Sequence, residues 1–159
     1  MKKLLIILIL FSTNLNASNF KLEKIIKGLD SPWSLSFVDE QNLFITEKSG
    51  NIKFVNLNEK IIKDVSHNLN VLEDGQGGLL DILYKNKVIF VSYSENRSNG
   101  LSSTSAARAE FNTEKLDFKN IFRAEPPVNS GYHFGSRLVI KNEHLFIKYY
   151  INEWFYNTI

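Results

Sequence analysis

Residues 129–138 read "NSGYHFGSRL" and place a histidine, His133, between glycines and aromatics, just ahead of an apolar run. The chain has three histidines, so its position in a flexible turn calls for a reason. An imidazole titrating near neutrality within hydrogen-bond reach of a substrate hydroxyl is a general base. The alternative is a turn histidine with no chemical role. A second segment, "EDGQGG" at 73–78, presents Gln76 on a backbone kept slim by Gly75, Gly77 and Gly78. Its amide can donate to a ligand oxygen, or it can cap a glycine turn. No cysteine is present, and no His, Asp or Glu cluster has metal-ligand spacing. Thiol chemistry, disulfides and a lipoprotein anchor are therefore excluded, and no metal ligand can be named.

Holding two such turns together falls to the elements around them. The apolar runs are short, rich in Ile, Val and Phe, and divided by Asn, Gly, Asp and Ser, which predicts strands. Candidates include "FKLEKII", "WSLSFV", "NLFITE", "NIKFVN", "KIIKDV", "GLLDILY", "KVIFVSYS", "SAARAEF", "KNIFRA", "RLVI" and "HLFIKYY". No window sustains a helical stripe over three turns, so the fold is expected to be all-β.

A repeat is also present. "WSLSF" then "NLFITE" resembles "GLLDILY" then "VIFVSYS", and again "SRLVI" then "HLFIKYY", with Phe44, Phe90 and Phe146 at matching places. A period of about 40–60 residues with about four strands per unit predicts propeller blades, against an ordinary meandering sandwich. In a propeller the first strand of each blade lines the central channel, and the loop entering it opens at one mouth. Trp33, Gln76 and His133, on the three entering loops, are then expected around one opening.

The start of the chain has a different character. Met1-Lys2-Lys3, the run "LLIILILF" and the polar exit "STNLNAS" predict a secretory signal over residues 1–17, cleaved after Ala17. That apolar run falls well short of the about 20 residues that span a bilayer, so no stable membrane insertion is expected. Without residues 1–17, which carry two lysines and no acid, basic and acidic side chains balance. A neutral exported domain argues against nucleic acid as partner and suits a bacterial periplasm.

In "GQGGLLDI" (75–82) and "SGYHFGSRLVI" (130–140), set in order with "GLDSPWSLSF", "LFITEKSGNIKFV", "VIFVSYSE" and "TSAARAEF", the chain resembles the soluble quinoprotein glucose/sorbosone dehydrogenases, particularly their aldose sugar dehydrogenase branch. The resemblance implies a six-bladed propeller that binds pyrroloquinoline quinone (PQQ) and calcium. It implies oxidation of an aldose at its anomeric carbon to the lactone, with electrons passed to an external acceptor. It maps the general base onto His133 and a quinone contact onto Gln76. Arg137 either faces the PQQ carboxylates, as guanidinium–carboxylate pairing favours, or packs at a strand start. Trp33 is expected between blades. His67, His144, Arg108 and Arg123 are expected to face solvent.

Six blades need well over about 250 residues, and this chain has 159. The expectation is an incomplete six-bladed propeller, roughly two and a half blades of antiparallel four-stranded sheets, over residues 18–149. Residues 150–159, "YINEWFYNTI", fit nothing before them and read as an aberrant tail from truncation or frameshift. The family's calcium ligands are expected outside this chain, which alone should be weakly folded and inactive as a dehydrogenase. A non-catalytic exported β-propeller binding module is the alternative.

Overall fold

A computed structural model describes residues 21–149. The expected signal at 1–17 and the expected aberrant tail at 150–159 both lie outside the described residues. Eleven strands and no helix are found among them: β1 (Pro32–Phe37), β2 (Asn42–Glu47), β3 (Ile52–Asn56), β4 (Ile61–His67), β5 (Leu79–Lys85), β6 (Val88–Asn96), β7 (Ser102–Glu110), β8 (Lys115–Leu116), β9 (Lys119–Arg123), β10 (Leu138–Lys141) and β11 (His144–Ile147). The turn residues explain several of the reversals. Asp39 Oδ1 accepts from the backbone N–H groups of Gln41 and Asn42, both at 2.8 Å, closing the turn between β1 and β2. Asn86 and Lys87, and again Asn142 and Glu143, all have positive φ. Such consecutive pairs suit two-residue hairpins, whose twist matches that of the strands they join.

Strand order is β1-β2-β3-β4-β8 in the first sheet, β5-β6-β7-β9 in the second, and β10-β11 in a third. These are the two and a half units of an incomplete β-propeller. The fifth strand, β8, is a departure from four-stranded blades: two residues pair parallel to the end of β4, Ser66 with Lys115 and His67 with Leu116. A two-residue strand has no periodicity to read, so sequence pattern misses it. Its Leu116 is nevertheless fully buried in the main core.

That core lies between the first two sheets. Phe44, Ile52 and Val65 from one side meet Leu79, Ile82, Ile89, Val91 and Tyr93 from the other. Phe44 sits 5.1 Å from the Phe54 ring and 5.9 Å from the Phe111 ring. The opposite face of the first sheet carries Leu43, Ile45 and Val55, against which Ile26 and Leu29 pack. This corrects the expectation of a strand at "FKLEKII". Residues 21–29 form no strand; Ile26 and Leu29 pack on the sheet's face, while Leu22 and Ile25 stay exposed.

One further expectation is corrected. His67 is not solvated: it is half-buried, its Nε2 lies 2.7 Å from the Gly50 carbonyl, and its Nδ1 accepts from the Leu69 N–H at 3.2 Å. A neutral imidazole satisfies both bonds, and burial pushes its pKa below the ordinary 6.5, partly opposed by the Gly50 carbonyl. Arg123 is exposed, as expected, and also forms an ion pair that the pattern did not show. Its Nε and Nη2 donate to the two oxygens of the buried Glu95 carboxylate, each at 2.8 Å. Ser105 and Asn120 donate to the same carboxylate. Burial alone would raise the Glu95 pKa, but the Arg123 and Ser105 bonds together hold it below the ordinary 4.5. Beside it, burial pushes the Tyr93 phenol up to about 12, so it stays a donor to Asn120 Oδ1 at 2.7 Å.

The lowered pKa values of His67 and Glu95 make the fold less stable on acidification. A group with a depressed folded pKa is protonated first in the unfolded chain, so stability is lost as pH falls. His67 contributes from its unfolded value of 6.5 downward, and Glu95 from 4.5 downward. Denaturant midpoints followed from neutral to acidic pH should fall in two stages, and His67→Gln should remove the upper one. Midpoints that stay flat through the upper window would contradict this role for His67.

Candidate functional site

The glycine turn at 74–78 sits on the backbone of the histidine turn. Gly77 N–H donates to the Asp74 carbonyl at 2.7 Å, closing the first turn. Gly75 has φ +53°, and a Cβ there would overlap the Gly131 carbonyl oxygen. Only glycine permits both the conformation and the approach. Two bonds then clasp the turns together. Gln76 N–H donates to the Gly131 carbonyl at 2.6 Å, and His133 N–H donates to Gln76 Oε1 at 3.0 Å. His133 itself has φ +66°, the left-handed region in which a residue with a Cβ carries about 1–2 kcal/mol of strain. The Gln76 side chain therefore holds a strained backbone in place.

Lys48, which pattern reading did not single out, supports the clasp from the first sheet. Its Nζ donates to the Gly75 carbonyl at 2.6 Å, and its own carbonyl accepts from Leu79 N–H at 3.0 Å. The segment after His133 is fixed by the second sheet. Ser92 Oγ donates to the Ser136 carbonyl at 2.5 Å. The buried Asp81 carboxylate accepts Leu138 N–H at 2.7 Å through Oδ2 and the Ser34 hydroxyl at 2.6 Å through Oδ1. Asp81 thus joins β1, β5 and β10, the first strands of the three units. No local pattern marks either Lys48 or Asp81; a charged residue beside a strand end or within an apolar strand was their only trace.

Gln76 and His133 open onto a groove of about 430 Å³ that Phe134, Arg137, Lys148 and Tyr149 also line. Arg137 is 71% exposed, and its Nη1 lies 3.9 Å from Asp81 Oδ1, a loose contact that leaves the guanidinium available to a ligand. Two cations, two aromatic rings and an imidazole suit a flat, anionic ring system carrying a proton donor nearby. A larger hollow, about 600 Å³, lies beside β7, β8 and β9 and is lined by Arg108, Phe111, Lys115 and Lys119. It contains neither clasp residue, and Lys115 is paired there with Asp117 at 3.1 Å. The groove at His133 is the candidate site.

The expected convergence thus holds for Gln76 and His133 but not for Trp33, which is not among the groove-lining residues. Trp33 is half-exposed on β1 rather than packed between sheets. His144 and Arg108 are exposed as expected; His144 Nδ1 lies 2.7 Å from the Asn142 carbonyl. Among the described residues no group of three His, Asp or Glu side chains is placed to hold a metal ion.

Comparison with known proteins bears on this geometry. The glucose/sorbosone dehydrogenase family model matches residues 29–149. Aldose sugar dehydrogenase YliI of Escherichia coli strain K12 is 32% identical over 129 residues, which are 75% of this chain and 35% of that relative. The chain thus spans about a third of that curated relative's length. The crystal structure of the soluble aldose sugar dehydrogenase from Escherichia coli in its apo-form superposes with a TM-score of 0.73 at 31% identity, covering 80% of this chain and 40% of that one. A PQQ-bound aldose sugar dehydrogenase from Streptomyces coelicolor shares the fold, with a TM-score of 0.63 at 21% identity over 74% of this chain and 36% of its own.

Proposed function

The chain belongs to the glucose/sorbosone dehydrogenase family, and from that premise we propose that it carries the proton-accepting side of a site oxidising an aldose to its lactone with PQQ. The observation that carries this reading is the clasp: Gln76 holds His133 on the rim of a groove that Arg137 and Lys148 also line. The donors present fit PQQ, a planar aromatic tricarboxylate. Arg137 and Lys148 would face its carboxylates, and Phe134 and Tyr149 its ring plane. When bound, PQQ supplies the quinone carbon that takes the hydride.

What this chain's own residues do follows from their positions. His133 takes the proton of the sugar's anomeric hydroxyl as the C–H bond breaks. Gln76 uses its Oε1 on the His133 N–H, which leaves its amide N–H groups to a cofactor oxygen. No cluster of three carboxylate or imidazole side chains stands ready for calcium among the described residues, and no step here passes through that ion. Export to the periplasm and reoxidation by an external acceptor complete the reading.

The chain alone should bind PQQ but not turn over, because its matched part corresponds to only 35% of its relative's length. Titrating PQQ into the chain tests this: Arg137→Ala should weaken binding about tenfold, the loss of about 1.4 kcal/mol expected for one exposed charge-assisted contact. Absence of PQQ binding would favour the non-catalytic module. Turnover by the chain alone with PQQ, calcium, glucose and a dye acceptor would refute its inactivity.

A further inference from the structure

Inward-facing serines recur in this fold, and their partners differ. Strand β1 inverts the usual pattern, with Leu35 and Phe37 half-exposed while Ser34 Oγ donates to Asp81 and Ser36 Oγ accepts from Tyr84 N–H. Those two serines join sheet to sheet. Ser92 and Ser94 on β6 instead join a sheet to the two turns of the site. Both are fully buried and lie two residues apart in the strand, which puts their hydroxyls on one face about 7 Å apart. Ser94 holds the glycine turn. Its Oγ accepts Gly78 N–H at 2.7 Å and donates to the Leu72 carbonyl, and its backbone N–H donates to the Gly78 carbonyl at 2.9 Å. Ser92 holds the histidine turn. Its Oγ donates to the Ser136 carbonyl at 2.5 Å and accepts Asp81 N–H at 3.1 Å. Each hydroxyl spends its one proton on a carbonyl of a site turn or of the segment entering it. A Cβ on Gly77 would overlap both Ser94 Oγ and the Phe134 ring, so the glycine turn fills the gap between β6 and the histidine turn.

We propose that Ser92 and Ser94 are positioning residues of the site: strand β6 fixes, through one hydroxyl each, the spacing between the turn that carries Gln76 and the turn that carries His133. Neither serine lines the groove, so both act through other residues. The inference rests on the reading of His133 as base and Gln76 as cofactor contact. The Gln76 clasp ties the turns to each other at the exposed rim, and the two serines tie both to a rigid strand beneath it. Removing Ser92 Oγ takes the side-chain donor from the Ser136 carbonyl and loosens the turn that carries the base. Asp81 still holds Leu138 N–H, so Arg137 keeps its place. Removing Ser94 Oγ loosens the Gly78 end of the turn that carries Gln76, and through the clasp His133 moves with it.

The full chain, isotope-labelled for NMR, is compared with its Ser92→Ala, Ser94→Ala and Ser105→Ala variants. Ser105, on β7, is as deeply buried, and its hydroxyl bonds Glu95 rather than a site turn. In both β6 variants the His133 amide proton should move upfield as its bond to Gln76 Oε1 lengthens, and in Ser105→Ala it should stay. Turnover is read in a chimera carrying residues 29–149 in place of the matched part of the Escherichia coli relative. There Ser92→Ala should lower turnover by about 10–100-fold, the cost of displacing a catalytic group by up to about 1 Å, with PQQ affinity within about twofold. Ser94→Ala should weaken PQQ binding about tenfold and lower turnover as well. A merely structural role would lower the denaturation midpoints of all three variants and leave affinity and turnover alone. Should an alanine variant lose its β-sheet circular dichroism, Ser92→Cys or Ser94→Cys, which keeps the volume and a weak donor, replaces it with the same directions expected. A His133 resonance that stays in both β6 variants, or moves as far in Ser105→Ala, would overturn the proposal, as would affinity and turnover equal to the parent's. A parent chimera that binds no PQQ would refute the functional reading instead, and the His133 resonance then decides the role of the serines.

Discussion

His133→Ala should lower sugar turnover by about 10²–10⁴ while leaving PQQ bound, the range expected for loss of a positioned general base. The vehicle is a chimera in which residues 29–149 replace the matched third of the Escherichia coli relative. The selectivity of the effect follows from how the turn is held. Gln76 grips the His133 backbone N–H, not the ring, so removing the imidazole leaves the clasp intact. Alanine carries the same left-handed strain as any residue with a Cβ, so little is gained or lost in the backbone. Arg137 and Lys148 remain on the groove for the cofactor. His133→Gly, which relieves the strain at φ +66°, should be just as inactive, because the proton acceptor is equally absent. Gln76→Ala should behave differently, weakening PQQ binding together with rate, since it removes the side-chain bond that holds His133, while the backbone bond to Gly131 stays. Turnover of the His133→Ala chimera near that of the parent would place the base elsewhere.

Asp81→Ala should destabilise the chain by about 3 kcal/mol, a large share of the about 5–15 kcal/mol that holds a domain folded. One buried carboxylate accepts from Ser34 on the first sheet, from Ile82 on its own strand and from Leu138 on the third. Hydrogen bonds to a charged group contribute about 1.5–3 kcal/mol, and a buried donor left without a partner costs about 1–3 kcal/mol. Leu138 N–H would be such a donor. The Arg137 contact adds little, because that side chain is largely in water. Asp81→Asn keeps one acceptor oxygen and should cost about half as much. Urea titrations with unchanged slope and a lowered midpoint would register the loss as stability. Hydrogen exchange at Leu138 should rise first, since its amide loses its acceptor. A cost below about 0.5 kcal/mol, the size of an ordinary surface substitution, would show that Asp81 does not pin the sheets.

The sequence by itself determined what depends on near neighbours. Short apolar runs rich in Ile, Val and Phe between turn residues mark strands, as in β2, β5 and β6, and β9 adds the period-two alternation of a strand with one face in water. Asn86 and Asn142 tolerate the left-handed backbone that tight hairpins demand, so the turns were legible in residue type. Gly75, Gly77 and Gly78 announced a slim backbone around Gln76, and the singular setting of His133 announced a site. Tertiary structure alone decided which groups meet. Gln76 and His133 are 57 residues apart, as are Asp81 and Leu138, and nothing local encodes a bond at that distance. It is set by the register of three stacked sheets, of which the second and third carry their entering loops to the same rim. His67 looked solvated because its neighbours in sequence are polar, while its neighbours in space are the Gly50 carbonyl and the Phe118 ring. The inverted pattern of β1 has the same origin. Serines face inward there because Asp81 and the Tyr84 N–H await them on the next sheet, a demand that no window of sequence around β1 contains.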